Sequence, residues 1–369
     1  MLKIKIGNIF ETNMKTLVNT VNCVGVMGKG IAKDFKDRYP AMFDEYVSLC
    51  DKKILKPGVP YHYSDLLGNS IINFPTKDHW KSPSKLSYIV EGLDWFIKNY
   101  KQLNIKSIAF PPLGCGNGGL NWEMVGPIMY KELKNLPIDV EIYAPFGTKT
   151  EQLSKEFLEN NCIRSYKEVL GSKSIHFNEK WLLLPYIVRE LNNSQYSLKV
   201  GRVIFQKICY VLTRTGVKTD FVFSKGSFGP YSEEVKQAVM VLSNANIIVE
   251  KQLGNMISIQ VSDSFKFDES KYTHQELKCC DNTIDLLSRV KNTNQAELIS
   301  TILFSADQFK NTNTNINELD VYNYVMDWKP QWIQTNAKNV SESIRNLAMM
   351  NWIKVSYYKE LPYSNEFEI

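Results

Sequence analysis

Up to about residue 147, short apolar runs alternate with longer segments whose apolar residues recur at helical spacing. LKIKIG, TLVNTVNC, SIINFPT, KSIAFPPL and VEIYAPF are short and rich in β-branched and aromatic side chains, which predicts strands. The stretches near 30–50, 85–100 and 122–135 carry the helical period. Strands alternating with helices predict an α/β domain, a mixed sheet covered by helices, over residues 1–150. From 148 to 178 the chain is polar and weakly patterned, which predicts a linker at 151–178 before a second domain at 179–369.

The second part opens with EKWLLLPYIVREL and reads as mainly helical. Within it, VKQAVMVLSNANIIVE from Val235 resembles VSESIRNLAMMNWIKV from Val340. The match sets Val239 over Ile344, Leu242 over Leu347, Asn246 over Asn351 and Ile248 over Ile353. Each copy reads as an amphipathic helix, a turn and a short strand, the closing half of a winged-helix unit; duplication and chance both remain open. The Asn-rich stretch 309–320 reads as an exposed loop.

Length and charge sharpen this picture. A chain of 369 residues exceeds the roughly 250–300 at which single cores stop growing, in keeping with two domains. The net charge of +5 falls entirely in residues 1–150, which hold 19 Lys and Arg against 14 Asp and Glu. That placing suits a phosphate-rich ligand in the first domain. Seven scattered cysteines fit a reducing compartment, and with no C-x-x-C and four histidines no metal site is expected. No apolar run reaches about 18 residues, so the expectation is a cytoplasmic protein with no membrane partner.

Two glycine-rich loops carry the chemistry. PPLGCGNGGLNW, from Pro111, contains a literal G-x-G-x-x-G in Gly114, Gly116 and Gly119. A dinucleotide-binding dehydrogenase would need that loop after the first strand and an acid at the end of the second. Here it follows the fourth expected strand, and Asp139, at the right distance, starts a strand instead of ending one. NCVGVMGKGIAKDF places Gly25, Gly28 and Gly30 just ahead of a helix, with Lys29 as a cation. Lys29 is followed by Gly30, so this is no P-loop. Both loops follow strands expected to end at one sheet edge, and two facing amide cradles describe a cleft for a nucleoside diphosphate.

In GNIFE, VNTVNCVGVMGKGIA and PPLGCGNGGLNW, residues 1 to about 147 resemble a macrodomain, the ADP-ribose-binding fold. NFPTKDHWK after the third expected strand is similar to the DarG-type antitoxin branch, which removes ADP-ribose from DNA. The resemblance implies that Asn8 and Ile9 border the adenine, with Asn8 standing where macrodomains usually have Asp. It implies that Asn22 faces the distal ribose, and that Gly28, Lys29, Gly30, Ile31 and Ala32 wrap the diphosphate together with Leu113, Gly114, Cys115, Gly116, Asn117, Gly118, Gly119 and Leu120. Related protein-directed hydrolases carry an acid where Gly118 stands. Thr76 and Lys77 form the Thr-Lys step of this branch, and Lys77 is the expected catalytic residue, beside Asn22, with no cofactor. A lysine there can protonate or stabilise a departing base, or attack C1″ if its pKa is depressed. Lys81 is the nearest competitor; Asp78 and His79 read as loop residues, and Cys115 as structural.

VGRVIFQKICYVLTRTG followed by FGPYSEEV is similar to the helical antitoxin domain often called Panacea. That likeness implies a partner, a DarT-like ADP-ribosyltransferase toxin, with Arg202, Lys207, Tyr210, Phe228, Tyr231 and Lys236 as surface anchors and Glu233 and Glu234 as a local acidic stripe. The expected substrate is ADP-ribosylated single-stranded DNA, with ADP-ribose as the released ligand. Rival readings are an eraser of protein-linked or O-acetyl-ADP-ribose, a non-enzymatic ADP-ribose reader, and a transcriptional repressor. The neutral charge of the second half argues against phosphate-driven DNA binding there.

Overall fold

The computed structural model describes residues 1–160, 177–193, 199–253, 256–309 and 316–362. The chain divides into two compact units, Met1–Phe177 with Val239–Asn246, and Asn178–Ala238 with Ile247–Ile369.

The first unit is built on a six-stranded sheet, β1 (Leu2–Ile6), β2 (Thr16–Val21), β3 (Tyr61–Ser64), β4 (Ser70–Pro75), β5 (Ser107–Phe110) and β6 (Asp139–Ala144), in the order β1-β6-β5-β2-β4-β3. Five strands are parallel and β3 runs antiparallel along β4 at the edge. All five expected strands are present. The additional one, β3, is a four-residue YHYS in which only Tyr63 is buried, too short and polar to stand out in the pattern. Residues 71–75 of β4 and 140–144 of β6 are buried without interruption, as in strands covered on both faces.

Helices α1 (Gly30–Arg38), α2 (Pro40–Asp51), α3 (Leu86–Asn99) and α4 (Trp122–Leu133) cover the sheet. The single helix expected near 30–50 is in fact two. Pro40 lacks the N–H that would continue α1 but suits the first turn of α2, and Tyr39 before it leaves helical geometry at φ −130°, ψ 67°. Phe35 of α1 and Met42 and Tyr46 of α2 join Val21, Tyr63 and Ile71 in one core. On α3, a Cβ at Gly92 would overlap the Phe74 ring, so that glycine sets how closely the helix lies on β4. The segment expected as linker contains α5 (Lys155–Asn160), whose Leu158 is fully buried and whose Glu159 pairs at 2.9 Å with Lys134, the residue that follows α4. Residues 161–176, Cys162 included, lie outside the described residues.

The topology fixes where a ligand can go. From β2 the chain runs through α1 and α2 to β3 and β4 on one side; from β5 it runs through α4 to β6 on the other. Neighbouring parallel strands whose connections depart in opposite directions open a crevice at their carboxyl ends. Both glycine loops leave from those two strands.

The second unit is mainly helical. Its small antiparallel hairpins, β7 (Ser224–Gly226) with β8 (Gly229–Tyr231) and β9 (Ile248–Leu253) with β10 (Met256–Val261), are consistent with winged-helix-like elements. Val211, Leu298, Ile302, Val321, Val325 and Ile344 lie in its core. The two similar stretches match in detail at the helix end: Asn246 and Asn351 both take left-handed backbone, φ 54° and 59°, and Ile248 and Ile353 are both buried just after. Only the first copy continues into a hairpin; the second makes a single bridge from Ser356 to Asn317. Because a Cβ disfavours left-handed backbone that Asn tolerates, Asn351→Ala is expected to lower stability by about 1 kcal/mol, while Asn351→Gly is neutral or better. Urea unfolding of the two variants checks this.

Several surface expectations need correction. Lys207 is only 2% exposed and donates to the Pro230 carbonyl at 3.0 Å, and burial pushes its ammonium down to about 7. Tyr210 is also buried, its hydroxyl on Asp307 at 3.0 Å. The reason is that the helix Arg202–Arg214 buries nearly its whole circumference. Arg202 clamps Glu250 through two bonds of 2.7 and 2.8 Å, and Tyr231 is half-buried, whereas Phe228 and Lys236 stand exposed. The Asn-rich loop stops short of 320: Asn317 caps the helix Glu318–Trp328, and Glu318 is buried against Arg345. Residues 310–315 lie outside the described residues. Among the described residues no helix is long and apolar enough to cross a membrane.

Candidate functional site

Three loops meet at the carboxyl ends of β2, β4 and β5. The first is shaped by Asn22. Its Nδ2 donates to the Val26 carbonyl at 2.6 Å, and its Oδ1 accepts from the N–H groups of Val24 (3.0 Å) and Val26 (3.4 Å) and from the Tyr46 hydroxyl (3.1 Å). The Asn22 amide is therefore turned onto its own loop and is 6% exposed. The loop runs through exposed Gly28 and Lys29 into α1, where Ile31 and Ala32 are half-buried. No side chain caps the N-terminus of α1, so its leading N–H groups are available to an anion.

The second loop is pinned at both ends by buried Leu113 and Leu120. Leu120 N–H donates to the Gly114 carbonyl and Gly119 N–H to the Gly116 carbonyl, each at 3.0 Å. Gly116, Asn117 and Gly119 remain exposed on the rim. At Gly118 a Cβ would overlap the Gly114 carbonyl oxygen and Ser84 Oγ, so neither an acid nor any other side chain fits there. The two glycine loops approach each other closely: a Cβ on Gly30, at φ +60°, would stand 2.9 Å from Asn117 Nδ2. Burial pushes the Cys115 thiol up to about 12, which removes it as a thiolate nucleophile near neutral pH.

The third loop follows β4 and ties the others together. Lys77 Nζ donates to the Asn117 carbonyl at 2.6 Å, setting the ammonium against the second glycine loop. Cys23 N–H donates to the Asp78 carbonyl at 3.1 Å, joining it to the first. Buried Thr76 donates its N–H to the Val21 carbonyl at 3.1 Å and accepts Ser84 Oγ at 3.2 Å, while Ser84 N–H donates to the Gly118 carbonyl at 2.9 Å. Ser84 was not singled out by the sequence, where an isolated serine has no signature.

At the far end of the same edge, Asn8 caps a short turn, Ile9–Glu11. Its Oδ1 accepts from Phe10 N–H at 3.1 Å and its Nδ2 donates to Glu11 at 3.3 Å, and Ile9 is buried beneath. Phe146, two residues past β6, is 80% exposed. The arrangement offers backbone amides and a helix N-terminus for a diphosphate, and a lysine beside them for chemistry on what the diphosphate carries.

Comparison with known proteins agrees with this geometry. Residues 18–129 match the Macro domain family. The chain is 36% identical over 243 residues to the DNA ADP-ribosyl glycohydrolase of Mycobacterium tuberculosis, a match covering 65% of this chain and 66% of that protein. It is 42% identical over 172 residues to the DNA ADP-ribosyl transferase-DNA ADP-ribosyl glycohydrolase fusion protein of Thermosipho africanus, covering 41% and 44% of the two. Just under two thirds of the first relative's length, and less than half of the second's, is thus matched. Among solved structures, the macrodomain of Mycobacterium tuberculosis DarG is 48% identical, with 39% of this chain and 98% of that one covered and a TM-score of 0.38. Fold, converging loops and sequence kinship agree: the chain carries a DarG-like macrodomain, joined to a further, mainly helical domain.

Proposed function

We propose that residues 1–150 hydrolyse the N-glycosidic bond of ADP-ribosyl-thymidine in single-stranded DNA, and that residues 179–369 bind a DarT-like toxin, making the chain the antitoxin of a DarT/DarG-type pair. The observation that carries this reading is the bond from Lys77 Nζ to the Asn117 carbonyl, which sets an ammonium at the mouth of a diphosphate cleft. In the reaction, water supplies a hydroxyl to C1″ and the base departs with a proton. Lys77 assists by donating that proton or by stabilising charge as the bond breaks. Asn22 contributes by holding the loop that carries Gly25 to Gly30, which makes it a positioning residue.

Gly118 supports a base-linked substrate over an acyl-linked one. Protein-directed relatives of this branch carry an acid at that point, and the tight approach of Gly114 and Ser84 leaves no room for one. For the second half, support comes from the Thermosipho africanus relative, whose name joins a transferase and a glycohydrolase in one polypeptide, and from exposed Phe228 as an aromatic anchor. The discriminating assay offers the full chain an ADP-ribosylated oligonucleotide and an ADP-ribosylated protein in parallel. Release of ADP-ribose from the oligonucleotide alone is expected. Release from the protein alone would establish the eraser reading, and tight ADP-ribose binding without release from either would establish the reader.

A further inference from the structure

We propose that Trp80 and Lys81 form the platform on which the DNA strand flanking the modified thymidine is held, the indole stacking on a neighbouring base and the ammonium pairing with its phosphate. This rests on the glycohydrolase reading above and names how the site takes hold of a polymer. Trp80 lies three residues beyond Lys77 in the same loop and is 48% exposed, whereas Trp122 and Trp181 are buried. A lone exposed apolar side chain needs no explanation. Three features set this one apart.

First, the indole is presented by a fixed turn. Asp78 Oδ1 accepts the His79 N–H at 2.7 Å, His79 Nδ1 accepts the Lys81 N–H at 3.2 Å, and Ser82 N–H donates to the His79 carbonyl at 3.0 Å. The His79 ring lies stacked against the indole, with centroids 5.7 Å apart and planes 29° apart. Second, Lys81 Nζ sits 5.0 Å from the indole centroid. A base that takes that place displaces the ammonium, and the phosphate attached to the base receives it, so one cation–π contact is exchanged for one ion pair. Third, the cations of this edge come from adjoining loops: Lys29 after β2, and Lys77, Lys81 and Lys85 after β4. An aromatic face with cations along it is how single strands are held without regard to sequence, because every base offers a π face and every linkage a charge.

The test uses the full chain and two readouts, binding of an unmodified thymine-rich single-stranded oligonucleotide and steady-state release of ADP-ribose from a modified one. Trp80→Ala is expected to weaken oligonucleotide binding and raise KM roughly tenfold or more, with kcat within about twofold and calorimetric ADP-ribose affinity unchanged. Trp80→Phe keeps most of the affinity. Lys81→Gln reduces the slope of log affinity against log salt by about 0.7, the value for one phosphate contact on a single strand, while Trp80→Ala leaves the slope alone. A modified mononucleotide, having no neighbouring base, is turned over alike by Trp80→Ala and wild type. Equal oligonucleotide KM values for Trp80→Ala and wild type would overturn the platform, as would a parallel loss of ADP-ribose binding, which would make Trp80 structural. A failure of the glycohydrolase reading looks different: wild type then releases nothing from modified DNA, while binding of the unmodified strand still reports on Trp80 and Lys81.

Discussion

Lys77→Ala is expected to cut release of ADP-ribose from a modified oligonucleotide by about a thousandfold, while free ADP-ribose still binds within several-fold. The size follows from what a positioned proton donor or charge contributes in a transition state, roughly 10²- to 10⁴-fold. The selectivity follows from geometry: the proposed diphosphate cradle is backbone from 28–32 and 113–120, whereas the part of Lys77 that would act on the bond is its side-chain ammonium, which donates to the Asn117 carbonyl. Calorimetry with ADP-ribose and a gel assay of the oligonucleotide measure the two halves separately. The same variant also separates the two proposed roles of the chain. Neutralising a toxin by occupying it needs no catalysis, so full-length Lys77→Ala should still titrate toxin activity mole for mole, through an interface of roughly 1,200–2,000 Å². Turnover comparable to wild type would move the chemistry to another residue, with Lys81 next in line.

Gly118→Ala is expected to remove ADP-ribose binding while the fold survives. The added methyl meets the Gly114 carbonyl oxygen and Ser84 Oγ, and neither can retreat freely. The Gly114 carbonyl accepts from Leu120, and the Ser84 backbone is bonded to the Gly118 carbonyl itself. The loop must therefore open, which would scatter the amides proposed to converge on the diphosphate. Affinity is expected to fall by at least about a hundredfold, the scale of losing two or three charge-assisted hydrogen bonds. Far-ultraviolet circular dichroism should stay unchanged, because the loop is on the rim and the sheet beneath it is untouched. Unchanged ADP-ribose affinity would show that this loop is only a turn and that the diphosphate lies elsewhere.

The strands and both glycine loops were legible in the sequence because each has a local signature: a period of two or a run of buried residues for the strands, clustered glycines for the loops. What escaped was decided by distant partners. Four glycines in GCGNGG look alike in the chain, and only folding shows that at Gly118 a Cβ would run into the backbone carbonyl of Gly114. Ser84 is unremarkable until Thr76 and Gly118 are brought to either side of it. Lys207 reads as a surface cation by its type, yet the helix that bears it is buried nearly all round and the Pro230 carbonyl receives its ammonium. The break at Tyr39 was readable in principle, since Pro40 forbids a continuous helix, but the apolar period runs across it and hides the interruption.

The bonds from Ser84 to Gly118 and Thr76, and from Thr76 to Val21, join the loop bearing Lys77 to the strand before one cradle and to the floor of the other. The backbone on which the lysine stands is thereby held beside both glycine loops when the protein folds. Such a site works as a gauge. On the glycohydrolase reading proposed above, it is expected to act on a bond at one set reach beyond a diphosphate, so that a nucleotide sugar whose linkage falls short of that reach, or past it, is held and left whole. Discrimination by length would then act alongside what the lysine requires of the group that leaves.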